Sequence, residues 1–158
     1  MPDKLIKRLE REGKVRKQKA GLVQAEALLK EAVLDLEEAN RISSVGERAT
    51  YLLAYSGMLK AGRALLLLNG YVPDDGAQHK TVVEMTAAIL GAKYRSLTEE
   101  FETMRRKRND LTYEAGTLLS KSEAQRAFSD AIELVKRILT EVKAPNPQLD
   151  LKLDLKER

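Results

Sequence analysis

The chain contains no cysteine and no tryptophan, and His79 is its single histidine. Without cysteine it forms no disulfide, thiolate metal site or thiol nucleophile. One histidine leaves too few partners for a zinc site or a Ser–His–Asp set, and the sequence has neither a Gly-rich phosphate loop nor a Gly-x-Ser-x-Gly elbow. We therefore expect no metal and no other cofactor, and hydrolases of those classes are disfavoured.

Long apolar runs are also missing. The longest covers Ala64 to Leu68, which is far too short to cross a bilayer. Residues 1–19 lack the apolar core of a signal peptide. We expect a soluble cytoplasmic protein that makes no membrane contact.

Proline and aromatic residues are scarce, with four prolines and 4% aromatics, whereas alanine and leucine are abundant. This composition favours helices over sheet. A chain of 158 residues is long enough for one domain with a single core. The predicted fold is all-α: an up-and-down bundle of about five helices with a long first helix and a short extended C-terminal tail.

Capping boxes, glycines and prolines predict where the helices begin and end. The first is expected to run from residue 3 to residue 40, with Gly13 and Gly21 as points where it can bend. The other four are predicted to begin at Ser44-x-x-Glu47, His79, Ser96-x-x-Glu99 and Ser120-x-x-Glu123, and to end at Asn69-Gly70, Leu90, Glu114 and before Pro145. Seven side chains are predicted to be buried: Leu29, Leu52, Leu59, Phe101, Leu111, Phe128 and Val135.

We divide the chain into a basic helical arm (1–20), a helical bundle (21–143) and an extended tail (144–158). From Leu149 onward the tail alternates leucine with charged residues, which is the period of a strand. It is expected to pair with a second chain, to dock its leucines in a groove or to fray.

The net charge of +4 is unevenly distributed, because the arm is strongly basic and residues 26–38 are acidic. A basic arm followed by an acidic helix suits contact with a polyanion or self-association. The other interpretation is a helix that mixed charges keep soluble.

One arginine interrupts an apolar helical stripe. The stripe consists of Leu97, Phe101, Met104 and Leu111, and Arg108 is its only polar member. A guanidinium directed toward an interior must find acceptors or an anion, because an unpaired buried charge costs several kcal/mol or more. Arg108 is therefore predicted to be either a structural ion pair or part of a binding site.

Arg105, Asn109 and Tyr113 lie four residues apart and form a second row on the same helix. An arginine, an amide and a phenol in a row can hold a phosphate, a base edge and a stacked ring. The alternative is an ordinary solvated basic patch in which Tyr113 covers the core.

These residues resemble the HEPN domains, helical bundles with an Arg-x4-His motif in which Asn often follows the Arg. Arg108 and Asn109 match this motif, but Tyr113 stands where the family has its catalytic His. Residues 60–85, KAGRALLLLNGYVPDDGAQHKTVVEM, resemble the family's second helix, its loop and the start of its third helix, including the His at its head. The resemblance covers residues 22–139, so that residues 21–143 would form a HEPN-like bundle.

The resemblance implies a homodimer in which a His moves a proton and an Arg holds the scissile phosphate, without a metal. Arg108 suits the second role, because its planar fork grips phosphate in two places. Tyr113 suits the first badly, since a phenol titrates about three pH units above a histidine. His79 can replace it only if the head of the third helix faces Arg108; otherwise His79 caps that helix or faces solvent.

From these residues we expect a HEPN-like protein of a toxin–antitoxin or defence system that binds RNA or a nucleotide through Arg105, Arg108, Asn109 and Tyr113. Weak or absent nuclease activity is expected, with a nucleotidyltransferase antitoxin as partner. One alternative is an active metal-independent endoribonuclease toxin in which Arg108 and Tyr113 are catalytic. The other is an assembly protein whose motif is a buried ion-pair cluster.

Overall fold

The computed structural model describes residues 3–19, 21–74, 78–149 and 151, and it confirms the all-α architecture. This part of the chain contains six α-helices and two short strands, with a 3-10 turn at Ala92–Tyr94. In chain order the elements are α1 (Asp3–Arg11), β1 (Val15–Lys17), α2 (Leu22–Ile42), α3 (Glu47–Leu68), β2 (Tyr71–Pro73), α4 (Gln78–Leu90), α5 (Arg95–Tyr113) and α6 (Lys121–Lys143). None of these helices has the length and apolar character needed to span a bilayer.

The prediction of one long first helix was wrong, because the chain breaks at Gly13. Gly13 has φ of 72°, a left-handed conformation that ends α1. The chain then forms β1, which pairs antiparallel with β2, with Val15 opposite Pro73 and Lys17 opposite Tyr71. This ladder places a strand where the sequence predicted only helix and loop. Among the described helices the longest is α6, with 23 residues, and not the first.

Of the three predicted capping boxes, only the one at α6 is confirmed. There the Ser120 hydroxyl accepts from the Glu123 N–H at 3.1 Å, and the Ser120 N–H donates to the Glu123 carboxylate at 3.3 Å. The boxes at Ser44 and Ser96 were wrong. Gly46 precedes α3 in an extended conformation without a side-chain cap, and α5 continues directly from the 3-10 turn, so the chain is already helical at Ser96.

Helix α3 lies at the centre of the bundle and packs against α2, α4, α5 and α6. Its approach to α2 is close: a Cβ on Gly57 would lie 3.2 Å from the Ala32 carbonyl oxygen. Five of the seven predicted core residues are buried: Leu29, Phe101, Leu111, Phe128 and Val135. Leu52 and Leu59 are only partly buried, because the innermost face of α3 passes through Tyr51, Tyr55 and Met58 beside them.

The beginning of the predicted tail packs on the bundle. Leu149 and Leu151 are buried in the core cluster, and the Lys143 ammonium donates to the Leu151 carbonyl. The Asn146 amide also donates to the Val142 carbonyl at 2.9 Å. Leu149 and Leu151 therefore dock on the bundle, which is one of the three predicted outcomes for the tail. The predicted strand character of residues 152–158 lies outside the described residues.

Candidate functional site

The apolar stripe of α5 is buried as predicted except at Leu97, which is only partly buried, and Arg108 lies within the stripe. Phe101, Met104 and Leu111 are buried, whereas Arg108 is half-buried. No carboxylate of a described residue comes within ion-pair distance of Arg108. Its Nη1 donates to the side-chain oxygen of the neighbouring Asn109 at 3.2 Å. The guanidinium therefore keeps its positive charge without a neutralising partner in the part of the chain that the structure describes.

His79, in the first turn of α4, contacts a buried tyrosine of α3. The Tyr55 hydroxyl lies 3.0 Å from His79 Nδ1, and the two ring centroids are 5.8 Å apart. Burial raises the pKa of Tyr55 to about 12, so its phenol keeps its proton at neutral pH. When that hydroxyl donates to Nδ1, the neutral imidazole carries its own proton on Nε2. Tyr55 thus orients the histidine.

The positive charges of three arginines act on His79 and Tyr55. The pKa of His79 is lowered first by its burial and then by the positive charges of Arg108, Arg63 and Arg105. The charge of Arg108 therefore acts on His79 at the head of α4. That proximity is what a role for His79 in a site requires. We call Tyr55, Arg63, His79, Arg105 and Arg108 the arginine–histidine cluster.

Arg63, on α3, links the cluster to the start of α4. Its Nη2 donates to the Gln78 side-chain oxygen at 3.2 Å. Its buried Nε has no hydrogen-bond partner among the residues placed by the structure. Like Arg108, Arg63 makes no ion pair with a described carboxylate. The cluster thus contains two guanidinium groups whose charge is not neutralised locally.

Arg105 differs from Arg108, because a carboxylate already holds it. Arg105 Nε lies 2.5 Å and Nη2 lies 3.0 Å from the two oxygens of Glu102. These hydrogen bonds hold the pKa of Glu102 below its usual range. Arg105 therefore supplies less free charge than the predicted row assumed.

Tyr113, the last member of the predicted row, is exposed at the end of α5. Its relative exposure of 74% rules out the interpretation that it covers the core. Asn109 is half-buried and uses its oxygen to accept from Arg108, which leaves its amide N–H groups available. The predicted binding residues therefore fall into two groups. Arg108 and Asn109 are half-buried, whereas the Tyr113 ring, one helical turn beyond Asn109, is exposed.

The sequence reasoning missed Tyr55 and Arg63. They lie two steps of four residues apart on α3, a spacing typical of one helical face, and this signal was available. Their proximity to Arg108 depends on the packing of three helices and had no local signal.

Within the described ranges, no three His, Asp or Glu side chains come together in a way that would hold a metal ion. Neither a protein-family model nor a curated protein matches this chain. The side-chain geometry is therefore the evidence on which a function is proposed.

Proposed function

We propose that the protein binds a phosphate group of RNA or of a nucleotide at the arginine–histidine cluster, with Arg108 as the principal contact. One observation carries this proposal: Arg108 is half-buried and has no carboxylate partner among the described residues, and its charge lowers the pKa of His79. A partly desolvated positive charge gains most from an anion that pairs with it. A phosphate supplies that charge and matches the guanidinium fork in two places.

Neighbouring donors favour the same kind of ligand. The Asn109 amide is oriented by Arg108 and can donate to a second phosphate oxygen. The neutral His79 ring offers its Nε2–H when Tyr55 donates to Nδ1. Arg63, whose Nη2 donates to the Gln78 side chain next to His79, adds positive charge, although its Nε is buried. The Asn109 and His79 donors have no described acceptor.

Tyr113 is proposed to stack on a base that flanks the bound phosphate. It lies one turn beyond Asn109, so its ring is beside the amide rather than beside Arg108. An exposed ring in this place suits the base of a nucleotide or of a single-stranded RNA.

From the resemblance to HEPN domains we propose that this binding belongs to a toxin–antitoxin or defence system. We propose weak or absent nuclease activity, a homodimer and a nucleotidyltransferase antitoxin as partner. The helical bundle and the Arg108–Asn109 pair near the end of α5 support this assignment. The presence of His79 at the head of α4 supports it as well.

The test is a titration of labelled single-stranded RNA of about twelve nucleotides, and of ATP, with the wild type and with Arg108→Ala. Loss of a charge-assisted contact worth about 1.5–3 kcal/mol lowers affinity roughly 10- to 150-fold. Arg126→Ala on α6 is the matched control, since that side chain is 77% exposed and lies 3.9 Å from its nearest carboxylate. Equal losses in the two variants would contradict the proposal.

Thermal unfolding without ligand completes this test. If Arg108→Ala lowers the unfolding temperature and leaves RNA and ATP affinity unchanged, Arg108 is a structural residue and the assembly-protein alternative replaces ours.

A second candidate function is metal-independent cleavage of RNA, and the contact of His79 with Tyr55 favours it. If His79 Nδ1–H donates to the Tyr55 oxygen, Nε2 has a free lone pair. Nε2 can then take the proton of a ribose 2′-hydroxyl while the 2′-oxygen forms a bond to phosphorus. The bond from phosphorus to the 5′-oxygen breaks, and the 5′-oxygen takes a proton from the imidazolium.

Cleavage assays in EDTA with His79→Gln and Tyr113→Phe test this second candidate. If His79 moves the proton, His79→Gln abolishes cleavage and Tyr113→Phe retains it. The reverse result identifies Tyr113 as the catalytic residue, as in the alternative drawn from the sequence. No cleavage by the wild type leaves binding as the function.

A further inference from the structure

Two open grooves on the side of α1 and β1 form a second basic surface. The first has a volume of about 630 Å³ and is lined by Lys4, Lys7, Glu10, Arg11 and Lys17. The second has a volume of about 430 Å³ and is lined by Lys17, Gln18, Lys19, Asn69, Gly70 and Tyr71. Lys17 lines both, so the two are neighbours. We call them together the α1–β1 groove.

The cations that line this groove make no ion pair with the residues that the structure describes. Elsewhere in the same region Arg8 pairs with Glu12 and Glu84, Lys14 pairs with Glu12, and Arg16 pairs with Asp74. Lys4, Lys7, Arg11, Lys17 and Lys19, in contrast, make no ion pair with any residue that the structure describes. Among the described residues, Glu10 is the only carboxylate that lines either groove. The groove therefore has a clear excess of positive charge.

The groove is built on docked elements and not on a free arm. Ile6 and Leu9 of α1 and Val15 of β1 are buried in the core. The β1–β2 ladder continues into a hydrogen bond from Gln18 N–H to the Gly70 carbonyl at 2.9 Å. On α1 the exposed Lys4, Lys7 and Arg11 follow the spacing of one helical stripe. The cations are thus presented in a fixed arrangement.

We propose that the α1–β1 groove binds the sugar–phosphate backbone of a single-stranded RNA. This inference rests on the proposed function and makes its ligand a polynucleotide instead of a mononucleotide. A row of unneutralised cations in a concave surface is what a chain of phosphates requires. Tyr71, Asn69 and Gln18 add a ring and two amides, which suit the unpaired bases that only a single strand presents.

The elements that line the groove contact α4, the helix that carries His79. Arg8 of α1 lies 3.7 Å from Glu84 of α4. At the end of β2, Asp74 pairs with Arg16 of β1, and α4 with His79 begins a few residues later.

An anionic membrane surface fits the groove less well. Helices that lie on membranes insert an exposed apolar face among the lipids. Of the three apolar residues of α1, Ile6 and Leu9 are instead buried in the protein's own core, and Leu5 is partly buried against it. What α1 exposes is charge, and the charge lines a concave surface.

The test compares a groove variant, Lys7→Gln/Arg11→Gln/Lys17→Gln, with a control of equal net charge, Lys121→Gln/Arg126→Gln/Lys136→Gln on α6. The altered side chains are all exposed, so both variants should fold as the wild type does. We expect the groove variant to bind single-stranded RNA of about twelve nucleotides at least about tenfold more weakly. Its salt dependence should also fall by about two in log–log slope, from three lost phosphate contacts. ATP affinity should remain unchanged.

Three results would overturn the inference. Equal losses of RNA affinity in the groove variant and the α6 control would show that net charge, and not the groove, determines binding. If the groove variant bound RNA as the wild type does while Arg108→Ala lost affinity for both RNA and ATP, the proposed function would hold and the groove would have no part in it. Binding of phosphatidylglycerol vesicles that depends on the groove residues, with RNA binding unaffected, would identify a membrane surface. If the groove variant loses RNA while Arg108→Ala loses neither ligand, the groove is upheld and the proposed role of Arg108 fails.

Discussion

The only histidine of the chain is placed where its charged form is disfavoured. Burial and the charges of Arg108, Arg63 and Arg105 all lower the pKa of His79. In the unfolded chain the imidazole takes up its proton near its ordinary pKa of about 6.5. In the folded protein it does so only at lower pH. The unfolded state therefore binds more protons between these two pKa values.

This difference predicts a loss of stability as the pH falls through that window. His79→Gln should unfold with less dependence on pH between about pH 7 and about pH 5 than the wild type. Urea unfolding of both proteins at these pH values measures the effect. Glu102 and Glu123, whose pKa values are lowered, also lose stabilisation in acid, but they are present in both proteins. If the free energy of unfolding depended on pH equally in the wild type and in His79→Gln, His79 would not be held in its neutral form.

Substitutions of Tyr113 separate stacking from proton transfer. The ring is exposed, so Tyr113→Phe keeps its stacking surface and should leave RNA affinity nearly unchanged. Tyr113→Ala removes the ring and should weaken binding by about 1–3 kcal/mol. Titration with single-stranded RNA measures both variants, and Val23→Ala, at an exposed apolar position of α2, is the control. Equal affinity of Tyr113→Ala and the wild type would remove Tyr113 from the binding site.

Tyr113→His tests the departure from the family pattern. A variant that gains RNA cleavage in EDTA would support a site that lacks only its proton-transfer residue. It would also favour the resemblance to HEPN domains.

At the scale of elements, the approach of α4 to α3 positions His79 against Tyr55. Gly62 of α3 makes this approach possible, because a Cβ there would lie 2.8 Å from Val82 and 2.9 Å from Thr86 of α4. Both of those neighbours are buried, with little room to move aside. One methyl group added at Gly62 would therefore disturb the packing of α3 against α4, the two helices that carry the Tyr55–His79 contact.

We expect Gly62→Ala to lower the free energy of unfolding by about 1–3 kcal/mol through overpacking, with about 1 kcal/mol regained from helix propensity. RNA affinity should fall as well, because a displaced α4 separates His79 from Tyr55. Chemical denaturation and RNA titration measure the two effects. Gly46→Ser is the control, since its Cβ would meet the nearest atom at an ordinary 3.7 Å. A Gly62→Ala protein as stable as the wild type would contradict the tight approach.

The elements that the sequence predicted well are those with a strong local signal. The periodicity of α5 identified the buried Phe101 and Leu111, and the Ser120–Glu123 box identified the start of α6. Gly13 was recognised as a weak point, but β1 was missed because its partner, β2, is distant in sequence. Pairing between distant segments leaves no periodic pattern in a three-residue strand.

The candidate site, like the fold, was predictable from the sequence only where one helix carries the signal. Arg108 stood out because it interrupts an apolar stripe, a property of one helix. The contact of His79 with Tyr55 depends on how side chains of two helices meet. The engagement of Arg105 by Glu102 is an i, i+3 pair within α5, so its signal was present in the sequence spacing but was missed.

For the molecule as a whole, the two-fold dimer expected from its apolar helix faces and from the HEPN resemblance stays a prediction. Two large exposed apolar side chains lie near one end of the bundle: Val45 and Leu118. The loop before α3 and the start of α6 meet there, since Ser43 and Ser44 line a small pocket with Lys121 and Gln125. A second copy would cover apolar surface at this end.

Light scattering at micromolar concentration should therefore give the mass of two chains. Val45→Ser/Leu118→Ser should shift that mass toward one chain by removing apolar contact area. Val23→Ser is the control, because Val23 is equally exposed but lies at the opposite end of α2. A monomer mass for the wild type would refute the dimer, and an effect of Val23→Ser alone would move the interface to the other end.

The antiparallel ladder between β1 and β2 also affects the order of folding. It joins two segments with all of α2 and α3 between them, so a large loop must close before its few hydrogen bonds form. The α2–α3 hairpin, in contrast, closes over a short turn. A segment held by late, distant contacts opens more readily than the helices it covers. Amide protons of β1 should then exchange with solvent faster than those of α3, and the cations of the α1–β1 groove would disperse in partly open molecules in which the arginine–histidine cluster is still assembled.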